Sequence, residues 1–127
     1  MRTGKTRQHY ERQKGQCYAY FRVGKEDLEK IRGGRFTIYD FITDSFFFSQ
    51  TKKQLAAGVL EAVRKKPLTF TQLVNELGAK KSTLYLLCLS LERSGMVEKH
   101  GQEYRPSRVF SEALAEYSKW WANWLKD

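Results

Sequence analysis

The sequence has little of what builds an enzyme's active site or a metal centre. Its 127 residues include only two cysteines and two histidines. Cys17 and Cys88 lack CxxC spacing, and His9 and His100 are too far apart for a recognisable metal motif. There is no Ser-His-acid set, no pair of carboxylates on one helical face and no glycine-rich phosphate loop. We therefore expect a protein that is not an enzyme and that holds no metal or other cofactor.

Long apolar runs are also missing. No stretch approaches the about 20 apolar residues that cross a bilayer, and no signal-peptide core is visible. This predicts a cytoplasmic protein with no membrane partner. Acidic side chains are in the minority. The chain has 14 Asp and Glu residues and 23 Lys and Arg residues, which gives a net charge of +9. The surplus favours a polyanionic partner, and nucleic acid is the first candidate.

Residues 1–16 form the first of four expected segments. They contain almost no apolar side chains and several basic ones, which is typical of a flexible basic arm. Such an arm functions only if it lies beside a DNA groove. Its candidate DNA contacts are Arg2, Lys5 and Arg7.

Residues 17–49 are expected to form an N-terminal α/β extension. Its predicted elements are a strand at 17–23, a short helix at 24–34 and a strand at 36–42. The last of these is ambiguous, because Ile38, Phe41 and Ile42 also keep helical spacing. We favour the strand.

Residues 50–106 carry clearer signals. The first helix has Leu55, Val59, Leu60 and Val63 on one face and ends before Pro67. A second helix follows, with Thr69 as N-cap, Gln72 as its capping-box partner and Gly78 at its end. A third helix runs from Lys81 to Ser94, and Val97 and Tyr104 are placed on two strands around a turn at His100-Gly101.

The stretch "TFTQLVNELGAKKSTLYLLCLSLERSGMVEKHGQEYRPS" resembles the winged helix-turn-helix domains of bacterial and archaeal transcriptional regulators. The resemblance implies an α+β fold whose third helix enters the major groove and whose β-hairpin, the wing, contacts the backbone or minor groove. One face of the third helix should be buried in the core, and its residues are Leu84, Leu87, Cys88 and Leu91. The DNA contacts are then assigned to Lys80, Lys81, Ser82, Thr83 and Tyr85 and, in the wing, to Lys99, His100, Gln102 and Arg105.

Two features depart from that pattern. Lys80 stands at the N-cap of the third helix, where its side chain cannot accept a hydrogen bond, so Ser82, Thr83 or a phosphate would have to complete the helix end. Leu86 and Leu89 lie where such regulators carry polar side chains. The two leucines are covered within the protein or its dimer, contact thymine methyl groups, or bind another protein.

Residues 107–127 predict a long amphipathic helix. They carry three basic and three acidic residues, and one stripe joins Phe110, Leu114, Tyr117, Trp121 and Trp124. Trp120 is left towards a second surface. We expect a homodimer through Tyr117, Trp120, Trp121 and Trp124, the alternative being packing within one chain.

Together these features predict a transcriptional regulator that binds double-stranded DNA. The main alternative is a protein-assembly or replication-associated module that binds a protein partner through Leu86 and Leu89. RNA binding through exposed aromatic side chains is a third possibility, although these residues fit a core better: Tyr18, Tyr20, Phe21 and Phe36.

Overall fold

The computed structural model describes residues 25–45 and 49–126. The basic arm with Arg2, Lys5 and Arg7, and the strand predicted at 17–23, lie outside the described residues. The elements in chain order are α1 (Lys25–Arg32), α2 (Ile38–Ser45), α3 (Gln50–Lys65), β1 (Leu68–Thr69), α4 (Phe70–Leu77), α5 (Lys81–Ser94), β2 (Val97–His100), β3 (Glu103–Pro106) and α6 (Val109–Lys126). Six helices and three strands in this part of the chain confirm the α+β class.

The strand predicted at 36–42 is wrong, because most of this segment belongs to α2. Thr37 and Asp40 begin the helix: the Thr37 backbone N–H donates to Asp40 Oδ2 (3.0 Å) and the Asp40 N–H donates to Thr37 Oγ1 (3.1 Å). Helical spacing brings Ile38, Phe41 and Ile42 to the core, and Ile42 is fully buried. In a strand, the charged Asp40 would share the apolar face that carries Ile38 and Ile42. The short helix before it is confirmed as α1.

Helices α3 and α4 begin and end as their sequences predict. Ser49 caps α3 by accepting a hydrogen bond from the Lys52 N–H, and α3 ends two residues before Pro67. At α4, Thr69 and Gln72 form the predicted capping box, in which each side chain accepts from the backbone N–H of the other. Gly78 closes α4 in the left-handed region at φ 60°, a conformation that costs glycine little.

The sheet has the order β1-β3-β2 and is antiparallel throughout. The β2–β3 hairpin is confirmed, but its loop lies one residue later than predicted, at Gly101-Gln102, since His100 pairs with Glu103. The sequence did not reveal β1, whose two residues pair with β3 through Leu68 and Tyr104. Because β1 also contains the N-cap of α4, it fixes that helix to the hairpin.

One hydrophobic core joins α2, α3, α4, α5 and the sheet. It includes the stripe predicted for the third helix, so the burial of Leu84, Leu87, Cys88 and Leu91 is confirmed. Helix α6 contributes Phe110, in its first turn, to the packing around this core. Among the helices of the described residues, none has the length and apolarity to cross a membrane.

Candidate nucleic-acid interface

The turn from α4 to α5 occupies Gly78 to Lys80. The Gly78 N–H donates to the Val74 carbonyl oxygen (2.9 Å), and Lys80 returns the chain to an extended conformation before α5 begins. Residues 84, 87, 88 and 91 of α5 face the core, and Ser90 is buried beside them. Lys81, Ser82 and Tyr85 therefore lie on the outward face at the start of the helix, and all three are exposed.

The first turn of α5 has no side-chain cap. Lys80 makes no capping hydrogen bond, and in the described part of the chain neither Ser82 nor Thr83 supplies one. The first backbone N–H groups of a helix have no partner within it and carry the positive end of the helix dipole. Two exposed lysines, Lys80 and Lys81, add full positive charges at the same end. This end of α5 is suited to an anion.

Lys52 extends this basic surface, and sequence reasoning missed it. A cleft of about 130 Å³ separates the start of α3 from α5, and its lining consists of Lys52, Ser82, Thr83, Leu86, Leu87 and Ser90. The Lys52 side chain is exposed beside the two hydroxyls. The adjacent pair Lys52-Lys53 was a signal in the sequence, but only tertiary packing shows which one reaches α5. Lys53 instead donates to the Thr43 carbonyl oxygen (2.7 Å).

Tyr85 is held in place by α4. Its ring meets that of Phe70 edge to face, with the centroids 6.3 Å apart and the planes at 79°. About half of the side chain remains exposed. Since such a contact restricts the ring, Tyr85 can present its hydroxyl group with little loss of side-chain entropy.

The hairpin offers fewer free cations than its sequence suggests. Glu98 and His100 are two residues apart on β2, on the same face, and their side chains are hydrogen-bonded. Hydrogen bonds from His100 and then from Ser107, with the nearby charges of His100 and Arg105, lower the pKa of Glu98 from its ordinary 4.5. The carboxylate therefore offsets part of the positive charge predicted for this element.

Of the remaining hairpin positions, Lys99 and Gln102 are exposed. Lys99 Nζ lies 5.3 Å from the ring centroid of Tyr104 in a cation–π contact. Arg105 is half-buried, and its Nε is buried without a hydrogen-bond partner in the described part of the chain. His100 is exposed as well but is hydrogen-bonded to Glu98, which leaves Lys99 and Gln102 as the exposed predicted hairpin contacts that do not pair with this carboxylate.

The two leucines that depart from the expected pattern differ from each other. Leu86 is 51% exposed, whereas Leu89 is half-buried. Leu86 also lines the cleft beside Lys52, so an apolar side chain borders the basic surface.

The predicted C-terminal helix is confirmed as α6, and the aromatic side chains of its C-terminal half are solvent-exposed. The predicted surface residues Tyr117, Trp120, Trp121 and Trp124 are all more than half exposed. Phe110, in the first turn of α6, packs within the chain and meets the Phe41 ring edge to face, with the centroids 5.8 Å apart.

Comparison with known proteins identifies a family. None of the curated proteins and none of the solved structures compared with the chain is significantly similar to it. A family model described as an archaeal family matches residues 62–126, from the end of α3 to the end of α6. The match spans 65 of the 127 residues, and the chain therefore belongs to this archaeal family.

Proposed function

We propose that the protein is a winged-helix regulator of transcription that binds double-stranded DNA. In this assignment α3, α4 and α5 are the three helices, the β2–β3 hairpin is the wing and α5 enters the major groove. The observation that carries the proposal is the composition of the exposed surface at the start of α5. Lysines from two helices surround exposed hydroxyl-bearing side chains there.

In this arrangement, different side chains of the protein contact the phosphates and the bases of the DNA. Lys52, Lys80 and Lys81 are placed to contact phosphates, which supply most of the affinity but no sequence information. Ser82 and Tyr85 are exposed on the same turn of α5 and can hydrogen-bond to base edges. Because Leu86 follows them, polar readout is limited to about the first turn and a half of α5, with a thymine methyl group as a suitable neighbour for the leucine.

The wing has a smaller role. Lys99 and Gln102 are exposed near its tip, while Glu98 is paired with His100 and repels phosphate. We expect the wing to contact the DNA backbone at one or two points. A bound protein then blocks or recruits the transcription machinery at its site.

A salt titration of DNA binding tests this proposal. We expect the apparent affinity of the full chain for duplex DNA to fall steeply with salt, with a slope of about −0.9 for each neutralised phosphate. In the triple variant Lys81→Ala/Thr83→Ala/Tyr85→Ala the affinity should fall by at least about tenfold, and the slope should become shallower by about one. Lys119→Ala removes an exposed lysine from α6 and serves as the control. Unchanged affinity in the triple variant would reject the proposal.

The exposure of Leu86 supports a second candidate, a protein-assembly module. A leucine that is half exposed next to Tyr85 is suited to a protein interface. On this alternative, Leu86→Glu abolishes assembly with a protein partner, while the triple variant above leaves duplex binding unchanged. Strong binding of duplex DNA that the triple variant loses would exclude it as the principal function.

A further inference from the structure

The aromatic stripe of α6 is a continuous exposed surface. We define it as Tyr117, Trp120, Trp121, Trp124 and Leu125, which are between 53% and 71% exposed. Trp124 stacks on Trp121 with the centroids 5.2 Å apart and on Trp120 with the centroids 6.2 Å apart, each pair at 19° between planes. The stacking joins side chains on successive turns into one surface on the C-terminal half of the helix.

The area of this stripe is sufficient for a specific interface. A large aromatic side chain carries about 150–250 Å² of surface. The exposed fractions therefore leave about 500 Å² of apolar surface uncovered on each copy, close to the largest patches found on monomers. Two such surfaces in contact bury about 1,000 Å², which is the lower limit for a specific protein–protein interface.

The charges of α6 favour a second copy of the chain as the occupant. The helix contains two acidic and two basic residues, whereas the whole chain has a net charge of +9. A neutral surface neither attracts nucleic acid nor repels another copy of itself. Helices that lie on membranes are instead rich in Lys and Arg on their polar face.

Electrostatics also favours one orientation of the pair. Residues 51–106 carry ten basic and five acidic side chains, so each copy has a strongly positive body. A parallel pair of α6 helices would bring the two bodies together at one end. An antiparallel pair that crosses at Trp121 puts about 18 Å of helix between each body and the crossing point, at 1.5 Å per residue from Val109.

We propose that the protein forms a two-fold symmetric dimer in which the aromatic stripes of two α6 helices pack antiparallel, centred near Trp121. A two-fold axis at Trp121 brings that residue opposite its own copy and pairs the others reciprocally, residue i with j and j with i, so the interface is self-complementary. The contacts of the proposed dimer come from α6, so the dimer does not depend on whether α5 binds DNA.

Light scattering combined with size exclusion tests the dimer in the full chain. We expect the wild type to have twice the 14.9 kDa chain mass at micromolar concentration and Trp121→Glu to have the mass of one chain. Ala122→Glu is the matched control, because it places the same charge on the next residue, outside the stripe, and should remain dimeric. Circular dichroism confirms that each variant is folded. A monomeric wild type, with the stripe covered by residues 17–23 or left open, overturns the proposal.

Tryptophan fluorescence gives an independent measurement, since all three tryptophans of the chain lie in α6. On dilution of the wild type we expect the emission maximum to shift to longer wavelength at the same concentration at which the mass halves. A spectrum that does not change while the mass halves would place the interface elsewhere and reject the stripe.

Cysteine cross-linking tests the orientation. In a Cys17→Ser background the native thiol left is Cys88, which is buried. In an antiparallel pair centred at residue 121, Trp121→Cys forms a disulfide with its own copy under mild oxidation and Leu114→Cys does not. Cross-linking of both variants would indicate a parallel pair and contradict the proposed arrangement.

Discussion

Lys80 is a residue at which local stability and the proposed function require different side chains. It occupies the N-cap of α5 without making a capping hydrogen bond. Ser, Thr, Asp or Asn at this position normally stabilises a protein by about 1 kcal/mol. A lysine gives up that stabilisation and instead adds a cation to the end of the helix that lies nearest to the phosphates in the proposed complex.

Replacing Lys80 with serine should separate the two properties. We expect Lys80→Ser to raise the free energy of unfolding by about 1 kcal/mol in urea titrations. Its affinity for duplex DNA should fall, and the salt slope should become shallower by about one. Lys81→Ser is the control, because it removes the same charge at a position that cannot cap the helix. A variant with neither added stability nor weaker DNA binding would contradict this account of Lys80.

Cys88 illustrates how burial controls a reactive group. Burial, and then the charge of Glu92, raises the pKa of the Cys88 thiol from 9.0 to about 12. The thiolate is the reactive form of cysteine, so this shift keeps the Cys88 thiol protonated and poorly reactive at pH 8. Burial similarly raises the pKa of the nearby Tyr104 hydroxyl to about 12.

We expect the Cys88 thiol to be inert in the folded protein. In Cys17→Ser, a thiol reagent at pH 8 should label less than one tenth of the chains in the time that labels all of them in urea. Because the folded state keeps the proton to a higher pH than the unfolded state, Cys88 and Tyr104 should also make stability fall as pH rises from about 9 to 12. Rapid labelling of folded protein, or stability that stays constant over this range, would show that these groups are accessible.

At the scale of elements, Asp40 connects the first two helices. It caps α2 through the Thr37 N–H and hydroxyl group, and its Oδ1 lies 3.7 Å from Lys30 Nζ on α1. The hydrogen bond from the Thr37 backbone is the largest of the effects that lower the pKa of Asp40 below 3.8. The folded state therefore binds the Asp40 proton more weakly than the unfolded state does, and this contribution to stability is lost as pH falls below about 4.

Urea unfolding at several pH values checks this contribution. At pH 7 we expect Asp40→Ala to be less stable than the wild type, and the difference should disappear towards pH 2. Glu76→Ala, which removes an exposed carboxylate from α4, should leave the pH dependence of the wild type unchanged. A difference that persists at pH 2 would mean that packing, not the charge, is lost in Asp40→Ala.

Local signals predicted some of these elements and missed others. The caps at Thr69 and Gly78 and the apolar stripe of α5 are read from neighbouring residues, and the structure confirms them. The error at α2 arose because the alternation of apolar residues was preferred to the helical spacing of Ile38, Phe41 and Ile42. The Thr37–Asp40 pair that begins the helix was a further signal. Strand β1 has two residues and exists only because β3 lies beside it, so no local pattern could have shown it.

The same limit applies to the candidate site. The lysines and hydroxyls at the start of α5 were predicted from the sequence, and the structure places them together on the surface. The position of Lys52 beside Ser82 depends on how α3 packs against α5. The Glu98–His100 pair had a signal in the sequence, because two residues that are two positions apart on a strand share one face.

For the whole molecule, the two proposals combine into one measurable quantity. A dimer that binds DNA neutralises about twice as many phosphates as a monomer does. Trp121→Glu, which is expected to be monomeric, should therefore show about half the salt slope of the wild type, while Ala122→Glu keeps the full slope. Equal slopes for wild type and Trp121→Glu would indicate that one copy binds DNA at a time.

The attachment of α6 has a mechanical consequence. The first turn of α6 packs against Gly95, whose carbonyl oxygen accepts from the Phe110 N–H (3.0 Å) and whose φ of 85° suits glycine. A Cβ on Gly95 would lie 3.0 Å from the Phe110 nitrogen. Because α6 is about 27 Å long, even a rotation of about 10° about this contact would move its far end by about 5 Å, so close packing at Gly95 fixes where the far end lies. We therefore expect a dimer of this protein to distinguish half-sites whose spacing differs by one base pair, which duplexes of stepped spacing would reveal as unequal affinities.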